Sequence, residues 1–145
     1  MLFRSSRFVK NHGFQGGSQK NAIIQQCDAL LFPVKWEEPF GLAIIEAMSY
    51  GLPVIGSPYG SLPELIKEDV GIICSTEKEF IESIRECPRK FEAKNIISYA
   101  RETFSSLKMT HSYIKFYQKV IDGEKLNKVS PEWKFKNRAT SPLSF

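Results

Sequence analysis

Apolar residues along this chain fall into two periodicities. Short unbroken runs at residues 29–33 (ALLFP), 53–56 (PVIG) and 70–74 (VGIIC) are bounded by turn formers, the pattern of strands covered on both faces. Between the first two runs, residues 41–50 are apolar at Leu42, Ile45, Ala47 and Met48, which is a helical spacing. Gly51 follows as a helix stop and Pro53 opens the next strand. The spacing predicts a β-α-β unit, and hence parallel strands with a right-handed crossover. Upstream, residues 18–27 (SQKNAIIQQC) predict a helix leading into the first strand. Downstream, Ser61 predicts a helix cap with Glu64 closing a capping box. Thr76 and Glu79 predict a second box, opening a helix that runs to about Arg85 and is broken by Pro88. Helices follow at about 91–104 and 107–121. The last carries Met109, Tyr113, Ile114, Tyr117 and Val120 at spacings of three and four. The fold class is α/β, a parallel sheet with flanking helices.

Ligands of such sheets bind beyond the carboxyl ends of the strands, which places residues 35–40 at the business edge. In the sequence WEEPFG, Pro39 keeps Glu38 out of the helical region, and Gly41 lets a ligand approach the backbone. The first-turn N–H groups of the following helix lack intrahelical partners and carry the positive end of its dipole, so a diphosphate suits that spot. Glu46 lies more than a turn into the helix, where a carboxylate can accept both hydroxyls of a ribose. Taken alone, two glutamates in a chain that is 25% charged read first as a solvated pair.

The surrounding residues add to this. EPFGLAIIEAMSYGLPVI, with GSLPELI and VGIIC after it, resembles the retaining glycosyltransferases of the GT-B class, family 4, whose motif has two glutamates with seven residues between them, here Glu38 and Glu46. The resemblance is dense over residues 28–74 and looser over roughly 8–27 and 75–121. It implies an incomplete Rossmann-like parallel sheet, the C-terminal half of a GT-B architecture. It implies that the donor is a nucleotide diphosphate sugar, with no further cofactor and no metal. Glu38 would be the catalytic-site carboxylate contacting hydroxyls of the transferred sugar. The backbone N–H groups of Phe40, Gly41 and Leu42 would hold the sugar and diphosphate, and Glu46 would bind the ribose. In such enzymes fixed dipoles and basic side chains stabilise the leaving diphosphate. The chain has no Asp-x-Asp pair and offers no convincing nucleophile. Glu64 reads first as a helix-start residue, with a donor contact as the alternative.

The chain also departs from the family pattern. A full enzyme of this class resembles two Rossmann-like domains with the site between them, whereas 145 residues beginning inside the second domain cover only part of that. The Gly-Arg…Lys element that neutralises the diphosphate is not found upstream of Glu38. Lys10 and Lys20 are the candidates by position, and Lys20 in GGSQKNAIIQQ reads first as a residue that caps or solvates its helix. The expectation is a partial nucleotide-sugar-binding domain at residues 1–121 and a basic tail at 122–145. Such a chain would be inactive alone and would need a separate acceptor-binding domain or subunit. The alternative is a non-catalytic remnant or interaction module that keeps the fold.

Composition changes this picture little. The hydrophobic content of 42% fits one soluble domain. No run of about eighteen apolar residues exists to span a membrane, and residues 1–14 lack the apolar core of a secretory signal. Cys27, Cys74 and Cys87 have no metal-ligand spacing. Cys27 and Cys74 lie in or beside apolar segments and read as buried thiols of a reducing cytoplasm. His12 and His111 are isolated. The net charge of +4 and the basic tail leave a peripheral contact with the inner membrane face as a further expectation. No motif suggests a nucleic-acid partner.

Overall fold

The structure, a computed structural model, describes residues 8–129. Among these the order is α1 (Gly17–Ile24), β1 (Leu30–Phe32), α2 (Leu42–Ser49), β2 (Val54–Gly56), α3 (Leu62–Leu65), β3 (Gly71–Ile73), α4 (Glu77–Lys90), α5 (Ala93–Phe104) and α6 (Ser106–Ile121). The three apolar runs become three parallel strands in the order β1-β2-β3. Leu31 lies opposite Ile55, which lies opposite Ile72. The expected tail lies outside the described residues from Ser130 onward, as do residues 1–7.

The central strand β2 is buried on both faces, as its unbroken apolar run requires. Val54 joins a cluster with Ile44 and Met48 of α2, Leu62 and Leu65 of α3, and Ile96 and Ala100 of α5. Ile55 joins the opposite cluster with Cys74, Phe80 and Cys87, so α4 covers the other face. A Cβ on Gly56 would lie 2.7 Å from Ile66 Cδ1 and 3.1 Å from Leu62 Cδ2. The missing side chain therefore lets α3 lie close against the sheet.

Helix α2 buries Ile44, Ala47 and Met48, with Ile45 packed at the margin. Leu42, expected on the apolar stripe, is instead 77% exposed. It is the first helical residue of α2. The other end of α2 follows expectation: Gly51 takes the left-handed conformation at φ 81. Its N–H donates to Met48 O (2.9 Å) and that of Leu52 to Ala47 O (3.1 Å), closing the turn as a Schellman motif. A Cβ on Gly51 would lie 2.8 Å from Ala93 Cβ, so this glycine also lets α5 start directly against α2.

Several sequence expectations are corrected. Helix α1 stops at Ile24, not residue 27, and buries no residue. Cys27 is accordingly exposed, its thiol donating to Ile23 O at 3.3 Å; it belongs to a helix end, not to the core. Helix α4 does not end near Arg85 but continues through Pro88 to Lys90. Proline removes one backbone hydrogen bond there, but it falls in the last turn, between fully buried Cys87 and Phe91, which packs against both clusters. The Thr76 box forms with a shift: Thr76 Oγ1 accepts from Glu79 N–H (3.2 Å), while Glu79 Oε2 accepts from Ser75 N–H (2.7 Å).

Helix α6 is capped by Ser105, whose side chain accepts from Lys108 N–H, and it buries no residue. Tyr113, Ile114, Phe116, Tyr117, Val120 and Ile121 are all at least half exposed. His111 on this helix is exposed as well. No helix among the described residues is long and apolar enough to cross a membrane.

The buried thiols give the fold a pH signature. Burial pushes the Cys87 thiol up to about 11, with the charge of Lys90 opposing and Cys74 adding. Burial also raises Cys74, against the Ser83 hydrogen bond. A folded-state value above the unfolded one means that the native state holds the proton longer, so this stabilisation is complete below about pH 9 and lost as pH rises toward 11. Denaturant melts across that window should show stability falling, and Cys87→Ala, though less stable at neutral pH, should fall less steeply. Parallel slopes for the two proteins would contradict the assignment.

Candidate functional site

Two connections meet at the carboxyl ends of the sheet: the loop from β1 to α2 and the turn from β2 to α3. They are joined by a seam of hydrogen bonds. The fully buried Ser57 donates through Oγ to Val34 O at 2.6 Å. Gly60 N–H donates to the Glu37 carboxylate at 2.6 Å, and Ser61 N–H to Glu38 O at 2.9 Å. Ser61 Oγ donates to Phe40 O at 3.0 Å. Gly60 sits in the left-handed region at φ 59, and a Cβ there would fall on the backbone N and O of Glu38. Only glycine allows the turn to press this closely on the loop.

Ser61 therefore corrects the capping-box reading. It precedes α3 as expected, but its side chain makes no cap hydrogen bond. The hydroxyl turns to a tertiary acceptor, the Phe40 carbonyl. Glu64 sits exposed in the first turn of α3, its N–H bonded to Ser61 O at 2.9 Å.

The seam fixes the geometry of the expected site residues. Glu38 is partly buried, and its Oε2 accepts from Trp36 Nε1 at 2.9 Å. Gly41 is the N-cap of α2 in the left-handed conformation at φ 83. Its carbonyl accepts from Ile44 N–H at 2.9 Å, and a Cβ at Gly41 would meet Ile44 Cδ1 at 2.9 Å and Glu38 Cγ at 3.7 Å. Glu38 thus stands beside the head of α2. No side chain caps that helix and no acidic residue lies in its first turn, so its leading N–H groups and the positive end of its dipole face outward. Phe40, 43% exposed, rests edge-on against Phe104 with ring centres 6.2 Å apart; Tyr99 braces Phe104 and donates to Leu65 O at 2.9 Å.

Glu46 lies farther along α2, on the flank facing α1. Its Oε1 is 2.5 Å from Lys20 Nζ, with both side chains about 40% exposed (40% and 37%). Lys20 therefore reaches across to a site carboxylate and does not cap its own helix. Lys10 is exposed in the irregular stretch before α1. The structure brings Glu38, Phe40, Gly41 and Leu42 together at the head of α2, with Glu46 on the same helix.

Sequence reasoning placed residues 35–40 at this edge but gave Trp36 and Glu37 no contact there, and it missed Ser57 and the tertiary bond of Ser61. A signal existed for Glu37, which adjoins Glu38. None existed for Ser57, whose partner lies 23 positions away.

The outward-facing amides beside Glu38 suit an anionic ligand. Residues 6–103 match the family model of the glycosyl transferases group 1. The chain belongs to that family. Its three-stranded parallel sheet flanked by helices agrees with a Rossmann-like part of a GT-B architecture. The chain is 32% identical over 118 residues to an uncharacterized 41.2 kDa protein in the cps region of Klebsiella pneumoniae, covering 76% of this chain and 32% of that protein. It is 29% identical over 124 residues to N-acetyl-alpha-D-glucosaminyl L-malate synthase of Bacillus anthracis, covering 80% of this chain and 32% of that protein. A phosphatidyl-myo-inositol mannosyltransferase of Propionibacterium freudenreichii is 28% identical over 75 residues, covering 50% of this chain and 20% of that protein. The chain thus spans about a third of the length of the first two relatives.

The seam makes a direct prediction. Gly60→Ala forces a left-handed backbone, costing about 1–2 kcal/mol, and adds a backbone collision. Ser61→Ala loses one hydrogen bond, about 1 kcal/mol. Denaturant melts should rank wild type above Ser61→Ala above Gly60→Ala. A Gly60→Ala protein as stable as wild type would show that the seam does not bind the loop to the sheet.

Proposed function

We propose that the chain is the donor-binding part of a glycosyltransferase that moves a hexosyl group from a nucleotide diphosphate sugar to an acceptor, with retention of configuration. The observation that carries this reading is the uncapped head of α2 at Gly41, with Glu38 held beside it by Trp36 and Glu46 farther along the same helix. In this reading the diphosphate lies against the N–H groups of Phe40, Gly41 and Leu42, where unpaired donors and the helix dipole favour an anion. Glu46 accepts the ribose hydroxyls. Glu38 accepts hydroxyls of the sugar being transferred, and its preset position means that little reorganisation is required when charge develops on the leaving diphosphate. The names of the Bacillus anthracis and Propionibacterium freudenreichii relatives describe, for those proteins, the synthesis of a glucosaminyl malate and a mannosyl transfer, which supports the class.

Acceptor binding is assigned to a separate domain or subunit. The chain covers only a third of the length of its first relatives, and α6 presents an apolar groove of about 690 Å³ lined by Tyr113, Phe116, Tyr117, Val120, Ile121 and Leu126. An exposed apolar surface of this kind suits a partner face. The proposed domain unit therefore ends with this helix, near residue 121, and the basic segment from 122 follows it.

The test is a thermal melt of the 145-residue chain against UDP, GDP and ADP and their hexose conjugates. Ligand at about 100 times its Kd adds about 2.7 kcal/mol to the folded state, so one nucleotide should raise the melting temperature and Glu46→Ala should abolish the rise. Glu38→Ala should keep the nucleoside diphosphate shift and lose the increment that the attached hexose contributes. A nucleotide shift indifferent to Glu46 would overturn the site assignment. A cooperative melt that no ligand moves would favour the non-catalytic alternative.

A further inference from the structure

The site just described has an electrostatic problem. Glu37, Glu38 and Glu46 all lie on the loop or helix to which an anionic diphosphate would come. Glu37 accepts from the Gly60 amide and Glu38 from the Trp36 indole. A lysine from another element faces Glu46 at 2.5 Å. Helix α1, which carries that lysine, buries no residue, follows Gly16 and begins at Gly17. The ion pair is thus a tie between α1 and α2 that does not follow from core packing. An ammonium has three donors, and one contact to Oε1 leaves two for other acceptors. The carboxylate likewise keeps Oε2 for a hydroxyl.

We propose that Lys20 is a positioning residue of the donor site: its ion pair fixes Glu46 and offsets its charge, so that an anionic nucleoside diphosphate is favoured over the neutral nucleoside. This rests on the reading of Glu46 as the ribose carboxylate. A partly exposed ion pair adds little to fold stability, about 0–1 kcal/mol, so the consequence of removing Lys20 should be seen in ligand choice more than in the melt. Without the ammonium, Glu46 would remain a bare anion beside an incoming anion, and the penalty would fall on charged ligands alone.

Calorimetric titration of the full chain with UDP, GDP and ADP, and with uridine, guanosine and adenosine, separates the possibilities. Lys20→Met should weaken the diphosphate that binds wild type by about fivefold or more, corresponding to about 1 kcal/mol. The matching nucleoside should change less than about twofold, because it lacks the charge that Lys20 offsets. Lys20→Arg should restore binding, the Lys20→Met deficit should shrink as salt is added, and Lys78→Met on α4 should leave binding unchanged. Equal or tighter diphosphate binding by Lys20→Met, with Glu46→Ala still abolishing binding, would overturn this inference and leave the donor-site reading intact. Equal losses for diphosphate and nucleoside would also overturn it, since they mark a purely structural tie. Wild type that binds no diphosphate, or Glu46→Ala that binds as wild type does, would overturn the donor-site reading and this inference with it.

Discussion

The contact on which the rest depends is the backbone seam at Gly60. Loops at the carboxyl end of a short parallel sheet are held by little, because each strand here is only three residues long. The turn after β2 solves this by lying directly on the loop after β1. Without a side chain at Gly60 the two backbones touch, and Ser57, Glu37 and Ser61 fasten the contact. The loop then enters α2 at a fixed angle through Gly41, and Glu38 is placed beside the helix head. Preorganisation of this kind matters for chemistry because a site that is already assembled does not reorganise when charge develops.

The remaining packing serves the same end. Helix α5 lies against α2 through Gly51 and Ala93 and supports Phe40 through Phe104. Helix α4 covers the opposite face. The elements without buried residues, α1 and α6, stand outside this framework. One contributes the Lys20 ammonium to the flank of α2, and the other presents an apolar face on which the proposed acceptor-binding part can dock.

What was legible in the sequence was what local chemistry determines. The apolar runs gave three parallel strands, and Gly51 gave the end of α2, because an interrupted hydrophobic pattern and a left-handed glycine need no distant partner. The Glu38–Gly41 stretch was legible for the same reason: cap, proline and helix start are contiguous. Ser61 was misread because its hydroxyl had two partners to choose from: it could accept from a nearby amide N–H or donate to a carbonyl 21 positions away, and only the folded chain decides between them. Pro88 was misread because burial of Cys87 outweighs one lost hydrogen bond. Leu42 was misread because a helical stripe says which positions are apolar but not which of them the rest of the chain covers. The Lys20–Glu46 pair is long-range and electrostatic, and no spacing rule announces it.

The central claim is that the head of α2 is a preformed anion and sugar site. Amide chemical shifts of the labelled chain, followed by NMR while UDP, GDP or ADP is added, test it most directly. The account predicts that the largest saturable shifts fall on Phe40, Gly41, Leu42 and Glu46, with the Gly60–Ser61 turn responding and the α6 amides unmoved. Shifts confined to α6, or scattered over the basic surface and abolished by moderate salt, would contradict it.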